Sequence, residues 1–243
     1  MSSKRVVIQF SYDILSPWSY LAYAVLKRYR SHWNYDLVLN PIWLAGVMAA
    51  SKNNPPFKVP NKGQKMVEEL PLMARFFGVV YHPIKKFPPD TLNLMRFLAV
   101  VREKNPGRLE IATDKLWESL ETIPSFSPSK EAVFVNQVSP EDVESVTQGL
   151  TPNPFSLEEL QSHIATSQTQ MIKDRVKKDC MQLVEGGAFG APWIEVLKPN
   201  GERLTLFGSD RFEFLAHWLG ETWLGPVPDL SAKTTSKDRY SHL

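Results

Sequence analysis

Val6-Val7-Ile8-Gln9-Phe10-Ser11-Tyr12-Asp13-Ile14-Leu15-Ser16-Pro17-Trp18-Ser19 is the stretch on which the fold turns. Its first seven residues are mostly β-branched or aromatic and predict a strand. Asp13-Ile14-Leu15-Ser16 breaks that pattern, and Pro17 suits the first position of a helix, where a missing N–H costs nothing. From Trp18 to Tyr29 apolar residues recur at helical spacing, at Leu21, Ala22, Ala24, Val25, Leu26 and Tyr29. Asp36 to Leu44 alternates, then runs apolar, and predicts a second strand. The opening is therefore β-α-β, long enough for a right-handed crossover and a parallel strand pair.

Residues 51–63 hold Asn53-Asn54-Pro55-Pro56 and Pro60-Asn61-Lys62-Gly63, which read as a polar, proline-rich loop. From Lys65 to about Glu185 helical patterns recur at 65–77, 90–104, 107–122, 140–149, 157–165 and 169–185, with no convincing strand pair. Ser156 followed by Glu158 and Glu159 predicts a capped helix start. Strand character returns at Trp193 to Leu197, and Pro199-Asn200-Gly201 then turns the chain into Leu204-Thr205-Leu206-Phe207, a hairpin. A last helix follows Gly208-Ser209-Asp210 and carries Phe212, Phe214, Leu215, Trp218 and Leu219. Residues 226–243 are polar and predict a mobile tail. The order predicts an α/β fold: residues 5–44 and 187–225 form one domain, and an all-helical insert at 45–186 interrupts it. Without the insert, β-α-β followed by β-β-α is the thioredoxin arrangement.

Composition narrows the function classes. The chain has 243 residues, with 43% hydrophobic and 22% charged, an ordinary globular balance. A net charge of +2 is too small to suggest nucleic acid or an anionic membrane as the main partner. No apolar run approaches the ~20 residues a membrane span needs, and residues 1–10 lack the long apolar core of a signal peptide. The single cysteine, Cys180, permits no internal disulfide and points to an intracellular protein with a buried structural thiol. The histidines His32, His82, His163 and His217 have no metal-ligand spacing, so no metal is expected.

Three short motifs carry chemistry. Ser16-Pro17-Trp18-Ser19 opens the first helix, where free N–H groups and the helix dipole stabilise a thiolate. In thioredoxin-like proteins this turn holds Cys-x-x-Cys. Here both cysteine positions are serine, which rules out disulfide exchange but leaves a hydroxyl able to donate to another molecule's thiolate. An N-cap role for Ser16 explains the same residue. Phe189-Gly190-Ala191-Pro192-Trp193 stands directly before a strand, where the arrangement calls for a cis-proline facing the helix start, so Ala191–Pro192 is expected to be cis. Gly208-Ser209-Asp210-Arg211 precedes a helix, where N–H groups can take a carboxylate and Asp210 an ammonium.

Taken in order and at matching spacing, these three motifs resemble the kappa-class glutathione transferases, a group within the DsbA-like proteins that includes the 2-hydroxychromene-2-carboxylate isomerases. The likeness spans about residues 5–226 and takes in Leu94-Met95-Arg96-Phe97-Leu98 and Leu219-Gly220-Glu221-Thr222-Trp223-Leu224-Gly225-Pro226. It implies glutathione as co-substrate, a small-molecule electrophile or peroxide as second substrate, no metal and a homodimer. By resemblance, Ser16 is the catalytic serine and contacts glutathione with Pro17 and Trp18. Asn53, or its neighbour Asn54, contacts the tripeptide, and Lys62 lies near its glycine end. Ala191 and Pro192 pair with its backbone, and Ser209 with Asp210 holds the γ-glutamyl end.

The chain departs from the family pattern at Ala191, where a larger aliphatic residue is usual, and at the bulky Trp18 and Trp193. Each tryptophan lines the second-substrate pocket or packs in the core. The tail ends Ser241-His242-Leu243, which fits the small–basic–leucine peroxisomal address. A cytosolic or mitochondrial location is the alternative, although residues 1–5 are too short for an amphipathic presequence. Two other functions share the fold: a glutathione-dependent isomerase of the chromene-carboxylate type, and a non-catalytic glutathione carrier.

Overall fold

A computed structural model of the protein describes residues 5–80, 90–119, 140–150 and 152–228. The opening stretch folds as its residues predict. Strand β1 (Val6–Tyr12) leads through a short turn into α1 (Pro17–Tyr29) and back into β2 (Tyr35–Pro41), which pairs parallel to β1 from Val6↔Tyr35 to Tyr12↔Pro41. Ile8, Phe10 and Tyr12 alternate onto one fully buried face of β1, and Leu21, Val25, Leu26 and Tyr29 of α1 cover them.

Seven helices follow among the described residues: α2 (Leu44–Ala50), α3 (Pro60–Phe76), α4 (Leu92–Lys104), α5 (Leu109–Ser119), α6 (Pro140–Gln148), α7 (Leu157–Ser167) and α8 (Gln170–Glu185). The Ser156 cap of α7 forms a full capping box with Glu159. Strands β3 (Trp193–Leu197) and β4 (Arg203–Phe207) then make the expected antiparallel hairpin, and α9 (Phe212–Leu219) closes the order. β3 runs antiparallel to β1, giving a four-stranded mixed sheet of order β2-β1-β3-β4. This is the α/β arrangement with helices between β2 and β3 that the order of elements predicts.

The boundary at 44/45 separates stretches of chain, not separate cores. Leu94, Phe97 and Leu98 of α4 share one buried cluster with β1, α1 and α9. A second cluster joins Val47 of α2 and Ala99 of α4 to Val176 and Cys180 of α8 and to Trp193. α4 has buried apolar side chains on almost every face because it lies between the two clusters.

Three local expectations change. α3 begins at Pro60, so Pro60-Asn61-Lys62-Gly63 is its first turn and not a loop. Proline at the first helical position is the reason, and Gly63 fits because a Cβ there would lie 2.8 Å from the Phe57 ring. α2 occupies residues that follow the second strand and was not foreseen. The chain also stays docked past residue 225: Pro226 and Pro228 are buried, and Arg28 donates to the Pro226 carbonyl at 2.9 Å. The remainder of the expected tail, with Ser241-His242-Leu243, lies outside the described residues, as do His82 and residues 120–122 at the end of the 107–122 pattern.

Candidate active site

The C-terminal end of β1 and the start of α1 open onto a cavity of about 840 Å³. Ser16 caps α1: its Oγ accepts from the Ser19 N–H at 3.1 Å, and the residue is only 3% exposed. The same hydroxyl donates across the site to the Ala191 carbonyl at 3.4 Å. That length is beyond the usual range for O–H···O, so the bond is weak and the hydroxyl is available to a better acceptor. The Ala191–Pro192 peptide is cis, as its position before β3 predicts.

The cis-proline loop is fixed from two sides. The Gly208 N–H donates to the Pro192 carbonyl at 3.1 Å. Gly208 has φ +95°, and a Cβ on it would stand 2.8 Å from the Asp210 carboxylate, so only glycine fits between β4 and that acid. From the other side, Asn53 Nδ2 donates to the Phe189 carbonyl at 2.8 Å, while its Oδ1 accepts the Asn54 N–H. Asn53 lines the cavity; the Asn54 side chain is turned to Lys58.

Of the residues singled out from sequence, Ser16, Pro17, Trp18, Asn53, Ala191, Pro192, Ser209 and Asp210 line this one cavity. Ser209 is 4% exposed, while Asp210 is open to solvent and ion-paired with Arg211. Both precede the Arg211 cap of α9, so the pair ends a loop instead of capping the helix. Lys62 stands apart: it borders a smaller neighbouring cavity of about 430 Å³ that shares Trp18, Pro56, Met66 and Glu69 with the first. Trp18 therefore borders both cavities. Trp193 lines neither cavity and is a core residue, 6% exposed beside Cys180 and Ala188. Cys180 donates to the Trp43 carbonyl, and burial pushes its thiol up to about 11.

Much of the remaining lining is apolar: Trp43, Leu44 and Met48 from α2 and its cap, with Met66 and Met73 from α3. Sequence reading missed it because these residues carry no polar motif. The signal was the run Leu44-Ala45-Gly46-Val47-Met48-Ala49-Ala50, rich in helix formers and without the alternation of a strand. Beneath this wall lies Asp13, fully buried. It accepts hydrogen bonds from Leu15 and Leu44 N–H and from the Thr91 hydroxyl, yet burial, the larger effect, lifts its carboxyl to about 6. Among the described residues no cluster of His, Cys, Asp and Glu could hold a metal ion, and no helix is long and apolar enough to cross a membrane.

Comparison with known proteins places this geometry in context. Residues 7–150 match the DsbA-like thioredoxin domain family. The chain is 34% identical to glutathione S-transferase kappa 1 of Rattus norvegicus, over 91% of this chain and 94% of that protein. It is 33% identical to glutathione S-transferase kappa 1 of Homo sapiens over the same shares. Among solved structures, a 2-hydroxychromene-2-carboxylate isomerase superposes with a TM-score of 0.65 at 16% identity, covering 88% of this chain and 94% of that one. A probable DsbA oxidoreductase from Streptomyces coelicolor gives 0.58 at 18% identity, covering 88% of each. At those identities the two structures share the fold.

Proposed function

The chain belongs to the DsbA-like thioredoxin domain family and, within it, to the kappa-class glutathione transferases, and from that premise we propose how its cavity serves glutathione transfer. Glutathione lies along the cis-proline side, with its sulfur at Ser16. Its backbone pairs with Ala191, its γ-glutamyl end meets Ser209 and Asp210, and its glycine end extends past Trp18 and Asn53 towards Lys62. The second substrate, a small apolar electrophile, occupies the side walled by Trp43, Leu44, Met48 and Met66.

Ser16 carries the chemistry. On binding, the thiol proton leaves to solvent and the Ser16 hydroxyl turns from the Ala191 carbonyl to donate to the thiolate. The sulfur lone pair attacks the electrophilic carbon, and the leaving group departs with its electron pair. With a hydroperoxide, the thiolate attacks the distal oxygen and the O–O bond breaks, leaving glutathione sulfenic acid and an alkoxide that takes a proton from solvent; a second glutathione thiol then displaces the sulfenic hydroxyl as water and gives glutathione disulfide. The observation that carries this reading is one buried hydroxyl at the start of α1, weakly held by the residue before the cis-proline.

The deciding experiment measures conjugation of reduced glutathione to a neutral haloarene beside isomerisation of a chromene carboxylate. Conjugation is expected; isomerisation alone would overturn the reading. A homodimer is part of the proposal, and light scattering in solution giving a monomer mass would remove it. So is a peroxisomal address in Ser241-His242-Leu243: an N-terminal fluorescent fusion should be punctate and should become diffuse when those three residues are deleted. A fusion that is diffuse with the tripeptide intact refutes the address.

A further inference from the structure

The N-terminal ends of three helices meet beneath the cavity, and one carboxylate holds them. Asp13 follows directly after β1 and has no exposed surface. Its main-chain carbonyl accepts the Ser16 N–H at 3.0 Å. Its Oδ1 accepts the Leu15 N–H at 2.9 Å and the Thr91 hydroxyl at 2.8 Å. Its Oδ2 accepts the Leu44 N–H at 2.9 Å, and Thr91 again at 3.0 Å.

Those donors come from three walls. Leu15 and Ser16 form the turn into α1. Leu44 is the first residue of α2, whose cap residue, Trp43, makes no side-chain cap bond. Thr91 is the cap residue of α4, and it too makes no cap bond of its own, its hydroxyl being given to Asp13. Neither cap residue bonds its own helix through its side chain, and both starts are tied to one acid from elsewhere in the chain, α2 through the Leu44 N–H and α4 through the Thr91 hydroxyl. Asp90 repeats the pattern beside it: its Oδ1 accepts the Leu92 N–H of α4 and the Trp43 indole N–H, each at 3.0 Å. Leu15, Trp43, Leu44, Asp90 and Thr91 all line the cavity, whereas Asp13 does not.

We propose, building on the transferase reading above, that Asp13 is a positioning residue. Through Leu15, Leu44 and Thr91 it sets the distance between the Ser16 turn and the α2 and α4 walls, and so places the second substrate against the thiolate. It touches neither reactant. A neutral amide cannot replace it, because its NH₂ would face the Leu44 N–H, donor to donor. The charged and titratable groups that act on it or that it acts on include Asp90 just before α4, Cys180 on α8 and Tyr12 at the end of β1. Burial makes this carboxyl titrate at about 6. The clamp is therefore complete at neutral pH and loosens as the pH falls through that value.

The geometry divides the two substrates. Glutathione's proposed contacts at Ala191, Ser209 and Asp210 sit on the β3–β4 side, which Asp13 does not hold. The haloarene would lie on the α2 and α4 side, which it does. Asp13→Asn and Thr91→Val should therefore keep glutathione affinity within about threefold of wild type, while kcat/KM for the haloarene falls roughly tenfold to a hundredfold, the scale of a misplacement near 1 Å. KM should carry much of that fall, and Thr91→Ser, which restores the donor, should recover it. Thermal unfolding confirms that each variant is folded, and Thr91→Val serves where Asp13→Asn does not fold. A merely structural role would scale kcat with the folded fraction and leave both KM values unchanged; that result overturns the proposal. A wild-type protein that conjugates normally, with both variants matching it, also overturns Asp13 alone. Wild type without conjugation overturns the transferase reading and the proposal with it.

Discussion

Replacing Ser16 with alanine separates its two jobs. In the protein as it stands, Oγ accepts the Ser19 N–H at 3.1 Å and donates at 3.4 Å to Ala191. The first bond is a helix cap, whose loss costs about 0.5–2 kcal/mol of stability. The second is surrendered at small cost when a thiolate arrives. A hydrogen bond to a charged group contributes about 1.5–3 kcal/mol, which at ~1.36 kcal/mol per unit is a pKa shift of about 1–2 units. The dipole of α1 adds about 0.3–1 kcal/mol more, and the substitution leaves that in place. From a free thiol near ~8.5, bound glutathione should titrate at about 6.5 in wild type and about 8 in Ser16→Ala. At neutral pH the thiolate fraction then falls from roughly three-quarters to roughly a tenth, so kcat should drop at least about eightfold from ionisation alone. Glutathione affinity should stay within about threefold, since its main contacts lie on the cis-proline loop and at Ser209. The assay is the ultraviolet thiolate absorbance of the bound tripeptide against pH, with calorimetric binding and thermal unfolding in parallel. Identical titrations in the two proteins, with only stability changed, would show that Ser16 is a cap and nothing more.

Asp13 makes stability depend on pH in a definite direction. The folded state keeps its proton up to about 6 while the unfolded chain releases it near 3.8, so this site's stabilisation is full below about pH 4 and is lost as pH rises to about 6. The difference amounts to about 3 kcal/mol at ~1.36 per unit. The unfolding free energy of Asp13→Asn relative to wild type should shift by that amount, in favour of asparagine, between pH 4 and pH 7; a difference independent of pH refutes the burial. Asn53→Ala removes the bond to Phe189 and should lower stability by about 0.5–1.5 kcal/mol and weaken glutathione binding, whereas Asn54→Ala should leave affinity unchanged; equal losses in a titration would reverse that assignment. Cys180, raised to about 11 by burial, should resist an aromatic disulfide reagent at neutral pH until denaturant is added, and prompt labelling of the native protein contradicts that.

What the sequence made legible is local chemistry. Ser16-Pro17 announces a capped helix because the hydroxyl acts on a backbone group three residues away. The hairpin at Pro199-Asn200-Gly201 likewise follows from residues that restrict their own backbone, whereas the cis bond at Ala191–Pro192 was legible from its place in the order of elements. The helices between β2 and β3 were legible wherever their apolar faces repeat. α3 was misread at its start because a glycine and two polar residues follow Pro60 and mask its role as a first helical residue; the approach of Phe57 to Gly63 shows why the glycine is there. Trp193 had two readings that sequence alone leaves equal, since a tryptophan before a strand can face a cavity or a core; here the second cluster under α2 claims it.

What stayed hidden depends on partners far along the chain. α2 has seven residues, apolar on every side, with no capping side chain of its own. An isolated helix of that length is not stable, so its cue is missing from its own residues: it is supplied by Asp13, 31 positions earlier. Thr91, 78 positions on from Asp13, is equally mute in sequence. An apolar replacement for Asp13 would leave Leu15, Leu44 and Thr91 without an acceptor, while keeping the acid buries a charge at neutral pH. That trade makes sense where geometry is worth more than stability, which is the situation beneath a cavity that must hold two molecules in line. The part of the site least visible in the sequence is thus the part that decides how closely the Ser16 turn and the apolar wall approach each other.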